Sequence, residues 1–136
     1  MHLFIDTGAL IARVIARDQY HERSLIRWSE ISKRKLKLLS TKHVFDETVT
    51  LLARRTSYSF AAGWADRHLR SKAIHWESTT EKDHTEAVTL MRKFADQCVS
   101  HTDTLSFTVM KRHAVKNVFG FDRHFNHAGF KLWEAE

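Results

Sequence analysis

The sequence predicts an α/β fold with a mainly parallel central sheet, and three features support this prediction. Short apolar runs of four or five residues recur along the 136-residue chain. Segments with helical spacing separate these runs, as in chains that alternate strands and helices. The chain has no proline and only four glycines, so few residues interrupt its helices. The order of the strands within the sheet does not follow from this pattern.

The first elements are two strands and two helices. The apolar run HLFI predicts a buried strand at 2–5, and apolar residues four apart predict a helix over 9–17. A second helix is predicted over 22–34, followed by the strand LKLLS at 36–40.

The middle of the chain continues with two helices and a strand. The first helix is predicted over 41–55, with Thr41 as its N-cap. Its inward face consists of Val44, Thr48, Leu51 and Leu52. A further helix covers 58–70, and AIHW at 73–76 is the third strand.

The C-terminal part repeats this alternation. A helix over 80–95 has an apolar stripe, and a helix over 101–113 directs Leu105 inward. The runs NVFGF at 117–121 and FKLW at 130–133 are the last two strands.

Composition and charge restrict the classes of protein to be considered. The net charge is +6, from 22 basic and 16 acidic residues, which favours a polyanionic partner such as nucleic acid. No run of 18 apolar residues predicts a transmembrane helix. The N-terminus has the pattern of a strand entering a helix rather than of a signal peptide. A single cysteine, Cys98, fits a reducing compartment, so a cytoplasmic protein is expected.

Four acidic residues stand out by position: Asp6, Glu47, Asp103 and Asp122. Taken singly, each has an ordinary interpretation as a turn or helix-terminus residue. Asp6 and Asp122, however, end predicted parallel strands, and ligands bind beyond the carboxyl ends of such strands. Clustered carboxylates repel one another unless a cation lies among them, and oxygen ligands favour Mg²⁺ or Mn²⁺. In a basic protein, this combination indicates metal-assisted cleavage of a phosphodiester bond.

Three segments carry a resemblance to a known family. FIDTGAL at 4–10 resembles the first strand and turn of PIN-domain proteins, with Gly8 where serine is common. VFDETVTLL at 44–52 resembles the second motif of that family, with its Glu at Glu47. The segment ADQCVSHTDTLSFTVMKRHAVKNVFGFDRHFNHAGF at 95–130 resembles the C-terminal signature of VapC-like PIN ribonucleases, with acids at Asp103 and Asp122.

The resemblance implies a three-layer α/β/α PIN-like fold, a single domain over residues 1–136, and Mg²⁺- or Mn²⁺-dependent endoribonuclease activity. Asp6 and Asp103 would be direct metal ligands, and Asp122 would bind directly or through water. Glu47 would orient the attacking water or hold a second ion. Asp96 also matches a frequent acid of the subgroup, although a loop or helix-end carboxylate is the preferred interpretation. Thr7, Ser100 and Thr102 are candidates to orient the carboxylates, and Thr102 is equally interpretable as a helix cap.

The resemblance also implies partners. A VapC-type toxin would act on RNA, form a homodimer, and bind a small antitoxin that covers the acidic pocket, for example with an Arg or Lys inserted among the carboxylates. No membrane partner is expected. The alternatives are a housekeeping PIN ribonuclease and a non-catalytic RNA-binding module.

Other residues give weaker indications of function. A metal-independent nuclease could use two histidines among His101, His124 and His127, but their spacing is not diagnostic. Arg123 and His124 are also candidates to contact RNA phosphate at the rim of the pocket. The tryptophans could stack on bases, although burial is the preferred interpretation and Trp64 is the one exception worth testing. The basic runs could line an RNA-binding rim: Lys33-Arg34-Lys35-Lys37, Arg54-Arg55, Arg67-Arg70-Lys72 and Lys111-Arg112.

Overall fold

A five-stranded parallel sheet forms the centre of the molecule in the computed structural model, which describes residues 1–134. The strands are β1 (His2–Ile5), β2 (Lys37–Thr41), β3 (Ile74–Glu77), β4 (Asn117–Phe119) and β5 (Lys131–Leu132). Their order is β3-β2-β1-β4-β5, and every neighbouring pair is parallel. The predicted α/β fold with a parallel sheet is therefore confirmed.

Helices connect the strands and cover both faces of the sheet. They are α1 (Thr7–Val14), α2 (His21–Arg34), α3 (Lys42–Arg55), α4 (Tyr58–Arg70), α5 (Glu81–Lys93), α6 (His101–Arg112) and α7 (His124–His127), with a short 3₁₀ helix at Ala95–Gln97. From β1 through β2 to β3 the chain moves toward one edge of the sheet, and from β3 through β4 to β5 it moves toward the opposite edge. Right-handed crossovers therefore place α1 to α4 on one face and α5 to α7 on the other.

The central strand β1 is at the heart of the core. Leu3, Phe4 and Ile5 are fully buried, since the sheet has helices on both faces and strands on both sides of β1. The inward residues predicted for α3 and α6 lie where expected, with Val44, Leu52 and Leu105 fully buried. These apolar contacts fix the carboxyl end of β1 relative to the helices that surround it.

Side-chain caps fix where several helices begin. The Thr41 hydroxyl accepts a hydrogen bond from the Val44 N–H at 3.0 Å, as predicted for the start of α3. Ser57 caps α4 and Ser100 caps α6 in the same way. Thr80 and Asp83 form a reciprocal capping box at the start of α5.

The structure differs from the prediction mainly at the ends of elements. β4 ends at Phe119 rather than at residue 121, because β1 ends at Ile5 and the last bond between them runs from the Asp6 N–H to the Phe119 carbonyl. Asp122 therefore lies in the turn after the strand. This turn leads into α7, a single helical turn too short to show helical spacing. The first helix spans residues 7–14 rather than 9–17, since the chain turns at Ile15, whose carbonyl accepts from the Asp18 N–H.

No helix among residues 1–134 is long and apolar enough to span a membrane.

Candidate active site

An acidic cavity of about 460 Å³ opens at the carboxyl edge of the sheet. Its lining includes the four acids singled out in the sequence, Asp6, Glu47, Asp103 and Asp122. They reach it from four segments: the end of β1, the second turn of α3, the first turn of α6, and the turn after β4. The parallel sheet brings these segments to one edge, although the first and last acids are 116 residues apart in the chain.

Asp6 is the most enclosed of the four acids, with 6% of its surface exposed. Gly120 lies directly against it, since a Cβ atom at position 120 would stand 3.0 Å from the Asp6 Cβ. Burial raises the Asp6 pKa to about 8, and the charges of Asp103, Glu47 and Asp122 add to this shift, whereas the Thr7 N–H opposes it. In the absence of a cation, this carboxyl group therefore holds its proton at neutral pH.

Asp103 lies in the first turn of α6, where the Ser100 hydroxyl accepts a hydrogen bond from the Asp103 N–H at 3.1 Å. Burial and the charge of Asp122 raise the Asp103 pKa, and its contact with His124 lowers it. The cap fixes the backbone of Asp103 and leaves its carboxylate directed to the cavity that it lines.

His124 joins Asp103 to Asp122. Its Nδ1 lies 3.4 Å from Asp103 Oδ2 and 3.2 Å from Asp122 Oδ1, and its backbone N–H donates to Asp122 Oδ1 at 2.9 Å. One ligand atom from each of these three residues lies within 4.8 Å of the others, a spacing that a metal ion could bridge.

Glu47 is held by a hydrogen bond from α1. The Thr7 hydroxyl donates to Glu47 Oε1 at 2.6 Å, across 40 residues of chain. Thr7 was one of three hydroxyl residues predicted to orient the carboxylates. Of the other two, Ser100 accepts a hydrogen bond from the backbone N–H of Asp103 rather than from its carboxyl group. Within residues 1–134, the hydrogen bond of Thr102 to another side chain is made by its backbone carbonyl, which accepts from the Ser106 hydroxyl.

Several other candidate residues lie away from this cavity. Asp96 is exposed on the 3₁₀ helix and does not line it, consistent with the preferred interpretation as a loop carboxylate. His101 contacts His84 at 3.1 Å, and His127 is exposed. Thus His124 is the one of the three candidate histidines that contacts the four acids within residues 1–134, and the His84–His101 pair lies outside the acidic cavity.

The aromatic and basic candidates are likewise sorted by position. Trp64 is 2% exposed and stacks on His68, so it is a core residue and its suggested role in base stacking is wrong. Trp28 and Trp133 are also buried. Of the basic runs, the one at Arg54-Arg55 reaches the acidic cavity, through Arg55. Arg67 lines a separate, mostly apolar cavity of about 430 Å³, and Arg112 pairs with Asp83 at 3.0 Å.

Part of the cavity wall was not anticipated from the sequence. Asp18, Gln19 and Tyr20, in the connection between α1 and α2, line the side next to Phe121. No motif marks these residues. Only the proximity of the α1–α2 connection to the turn after β4 brings them to the acids, and that proximity depends on β1 and β4 being neighbours.

The donor set fits a hard divalent cation. Its oxygen ligands are carboxylates, and the raised pKa values of Asp6 and Asp103 show that burial and mutual repulsion oppose their ionisation. A cation among these groups would neutralise this repulsion, and oxygen-rich sites suit Mg²⁺ and Mn²⁺.

Comparison with known proteins gives the same family by sequence and by structure. The chain is 30% identical over 128 residues to the 23S rRNA-specific endonuclease VapC20 of Mycobacterium tuberculosis strains H37Rv and CDC 1551, covering 94% of this chain and 95% of that protein. The crystal structure of M. tuberculosis VapC20, described as a sarcin–ricin loop cleaving toxin, superposes with a TM-score of 0.86 at 27% identity. That match covers 98% of this chain and 99% of the other. The PIN domain family model matches residues 3–131, so the chain belongs to the PIN domain family.

Proposed function

We propose that this protein is a Mg²⁺- or Mn²⁺-dependent endoribonuclease and the toxin of a type II toxin–antitoxin pair. The observation that carries the proposal is the convergence of four carboxylates in one cavity, with Asp6 buried and its pKa raised to about 8. Membership of the PIN family and the similarity to an RNA-cleaving toxin support the same activity.

In the proposed mechanism, Asp6 and Asp103 would hold the metal ion, and Asp122 and His124 would complete the site. When bound there, a divalent cation supplies polarisation of a phosphoryl oxygen and activation of water at neutral pH. Glu47, fixed by Thr7 through one carboxylate oxygen, has its other oxygen available to orient the attacking water and accept its proton. Arg55 at the rim of the cavity is placed to contact an RNA phosphate. Hydrolysis of this kind leaves a 5′-phosphate and a 3′-hydroxyl.

The nuclease activity is tested by incubating total RNA and a synthetic sarcin–ricin loop with the protein, in Mg²⁺, Mn²⁺ or EDTA. We expect cleavage with either metal and none in EDTA. Asp103→Asn should abolish cleavage, whereas Asp96→Asn, which changes an exposed carboxylate outside the cavity, should retain it. Cleavage that persists in EDTA and in Asp103→Asn would contradict the metal mechanism. RNA binding by wild type without cleavage in any metal would favour the non-catalytic RNA-binding module.

The toxin assignment is tested in cells. Induction of the wild-type protein in the cytoplasm should arrest growth, Asp103→Asn should not, and co-expression of the neighbouring small reading frame should restore growth. Such an antitoxin would cover the acidic cavity, and a homodimer is proposed by analogy with the family. Normal growth despite active protein would indicate a housekeeping ribonuclease.

A further inference from the structure

One wall of the acidic cavity is a pair of stacked aromatic rings. Tyr20, at the start of α2, and Phe121, in the turn after β4, have ring centroids 4.2 Å apart and planes inclined by 6°. Both residues line the cavity that contains the four acids, and Phe121 directly precedes Asp122. The pair therefore lies beside the site at which a phosphodiester would react.

These two rings differ from the aromatic residues of the core. Phe4, Phe119 and Phe125 are completely buried, whereas Tyr20 and Phe121 are both partly exposed. Their apolar surface thus remains accessible at the edge of a polar cavity, where water is a poor partner for it. Every nucleobase has a π face, so an accessible aromatic surface can stack on a base with little regard to sequence.

Arginines lie against the same pair. The exposed Arg23 has its guanidinium carbon 5.4 Å from the centre of the Tyr20 ring and 5.7 Å from that of Phe121. The buried Arg27 lies 5.1 Å from the Phe121 ring and pairs with Glu134 at 3.5 Å. Arg27 therefore supports the pair from within the structure, and Arg23 adds positive charge at the surface. Aromatic surface flanked by arginine is the usual composition of a groove for single-stranded nucleic acid.

We propose that the Tyr20–Phe121 pair is a nucleobase-binding subsite, which stacks on a base next to the phosphate held at the acidic cavity. This inference rests on the proposed function, because it assigns the pair to the same RNA substrate. The cavity volume of about 460 Å³ is within the size range of ligand pockets, so one nucleotide can be accommodated. Tyr20 and Phe121 would position the substrate and take no part in the chemical step.

RNA binding can be measured separately from cleavage to test this proposal. A short fluorescein-labelled single-stranded oligoribonucleotide of mixed sequence is titrated with protein in EDTA, and fluorescence anisotropy gives the Kd. Tyr20→Leu keeps apolar volume and removes the ring, and it should weaken binding about 5-fold to 100-fold, the range expected for loss of one stacked base. Tyr20→Phe should bind like the wild type, because the ring is retained. Tyr58→Leu is the matched control, since Tyr58 is 82% exposed on α4 and does not line the cavity.

A second arm identifies the base as the partner of the ring. Where RNA is cleaved, the cut is mapped, and the nucleotides flanking it are replaced one at a time by abasic ones. Phe121→Leu and Tyr20→Leu should raise KM on intact RNA more than they lower kcat, and this effect should disappear on one of the abasic substrates. The inference would be overturned, with the nuclease function left intact, if wild type and Tyr20→Leu bound RNA equally. It would also be overturned if the variants raised KM by the same factor on every abasic RNA. Binding that depends on Tyr20 without cleavage in any metal would support the subsite and reject the nuclease; neither binding nor cleavage by the wild type would reject both.

Discussion

Asp6 illustrates at the scale of one residue how an enclosed acid differs from an exposed one. It follows β1 directly, packs against Gly120, and is buried beside Asp103, Glu47 and Asp122, so its ionised form has little water around it and is repelled by these three charges. The resulting pKa of about 8 means that the folded protein holds a proton that the unfolded chain releases near pH 4. The contribution of this carboxyl group to the stability of the metal-free fold is therefore fully present below about pH 4 and is lost as the pH rises through about 8.

Asp6→Asn should consequently stabilise the metal-free protein in a pH-dependent way. Below about pH 4 the Asp6 carboxyl group is protonated in both the folded and the unfolded protein, so the variant and the wild type should have similar melting temperatures. The difference should grow as the pH rises and level off above about pH 8, at a few kcal/mol in favour of Asn, because one pKa unit corresponds to about 1.4 kcal/mol. Thermal melts in EDTA from pH 4 to 9 test this, with the exposed Asp96→Asn as control. A constant difference across this range would contradict the buried, protonated state of Asp6.

Gly120 is predicted to be required for the position of the Asp6 carboxylate. A methyl group there would lie 3.0 Å from the Asp6 Cβ and 3.4 Å from its Oδ2, so the acid must shift by some tenths of an ångström. Since Asp6 is proposed to hold the metal ion, its displacement should lower the cleavage rate by about tenfold or more. Gly63→Ala is the control, since it places a methyl group on α4 near only the flexible end of Arg67. Equal activity of Gly120→Ala and Gly63→Ala would show that this contact does not matter.

At the scale of elements, the caps connect helix stability to the site. Ser57 caps α4 and Ser100 caps α6 in the same way, because each hydroxyl accepts a hydrogen bond from the backbone N–H three residues later. The distances are 3.0 Å for Ser57 and 3.1 Å for Ser100. Of these two helices, α6 carries one of the four acids, Asp103, and the Asp103 N–H is the group that donates to the Ser100 cap.

Ser100→Ala and Ser57→Ala should therefore cost similar stability and differ in activity. Each removes one cap and is expected to lower the free energy of unfolding by about 1 kcal/mol. Ser100→Ala should also lower the cleavage rate, since the first turn of α6 places Asp103. Urea unfolding and a cleavage assay on both variants test this. An equal loss of activity in the two would mean that the effect comes from stability alone.

In the molecule as a whole, the net charge of +6 coexists with a cavity lined by five acidic residues, the four acids and Asp18. The basic residues must therefore lie largely outside it, and Arg55, at the end of α3, is the one arginine that lines it within residues 1–134. In the proposed function, the basic surface would therefore attract RNA, whereas the reaction would take place in the acidic cavity.

Arg55→Gln should weaken binding to RNA of every sequence. It should also reduce the slope of log Kd against log salt concentration by about one, the change expected for loss of one phosphate contact. Arg54→Gln changes the same net charge at an exposed neighbour that does not line the cavity, so its effect should be smaller. Anisotropy titrations over a range of KCl concentrations test the pair. Identical slopes for the two variants would assign the effect to overall charge rather than to position.

The class of fold and the choice of the four acids both follow from the amino-acid sequence alone. Alternation of apolar strands and helices requires no long-range information, and Asp6, Glu47, Asp103 and Asp122 stand within segments that resemble motifs of the PIN family. Caps such as Thr41 were also predictable, because they act over three residues.

Contacts between distant residues, in contrast, depend on how the strands and helices are arranged in three dimensions. Strand order places β1 beside β4, and this brings Gly120 against Asp6 and Phe121 against Tyr20. Trp64 and Tyr20 are both aromatic residues near basic segments, yet one is buried in the core and the other lines the acidic cavity. Packing between segments that are distant in the chain determines how deeply each side chain is buried. Burial in turn determines the pKa of Asp6 and the accessibility of the Tyr20 and Trp64 rings.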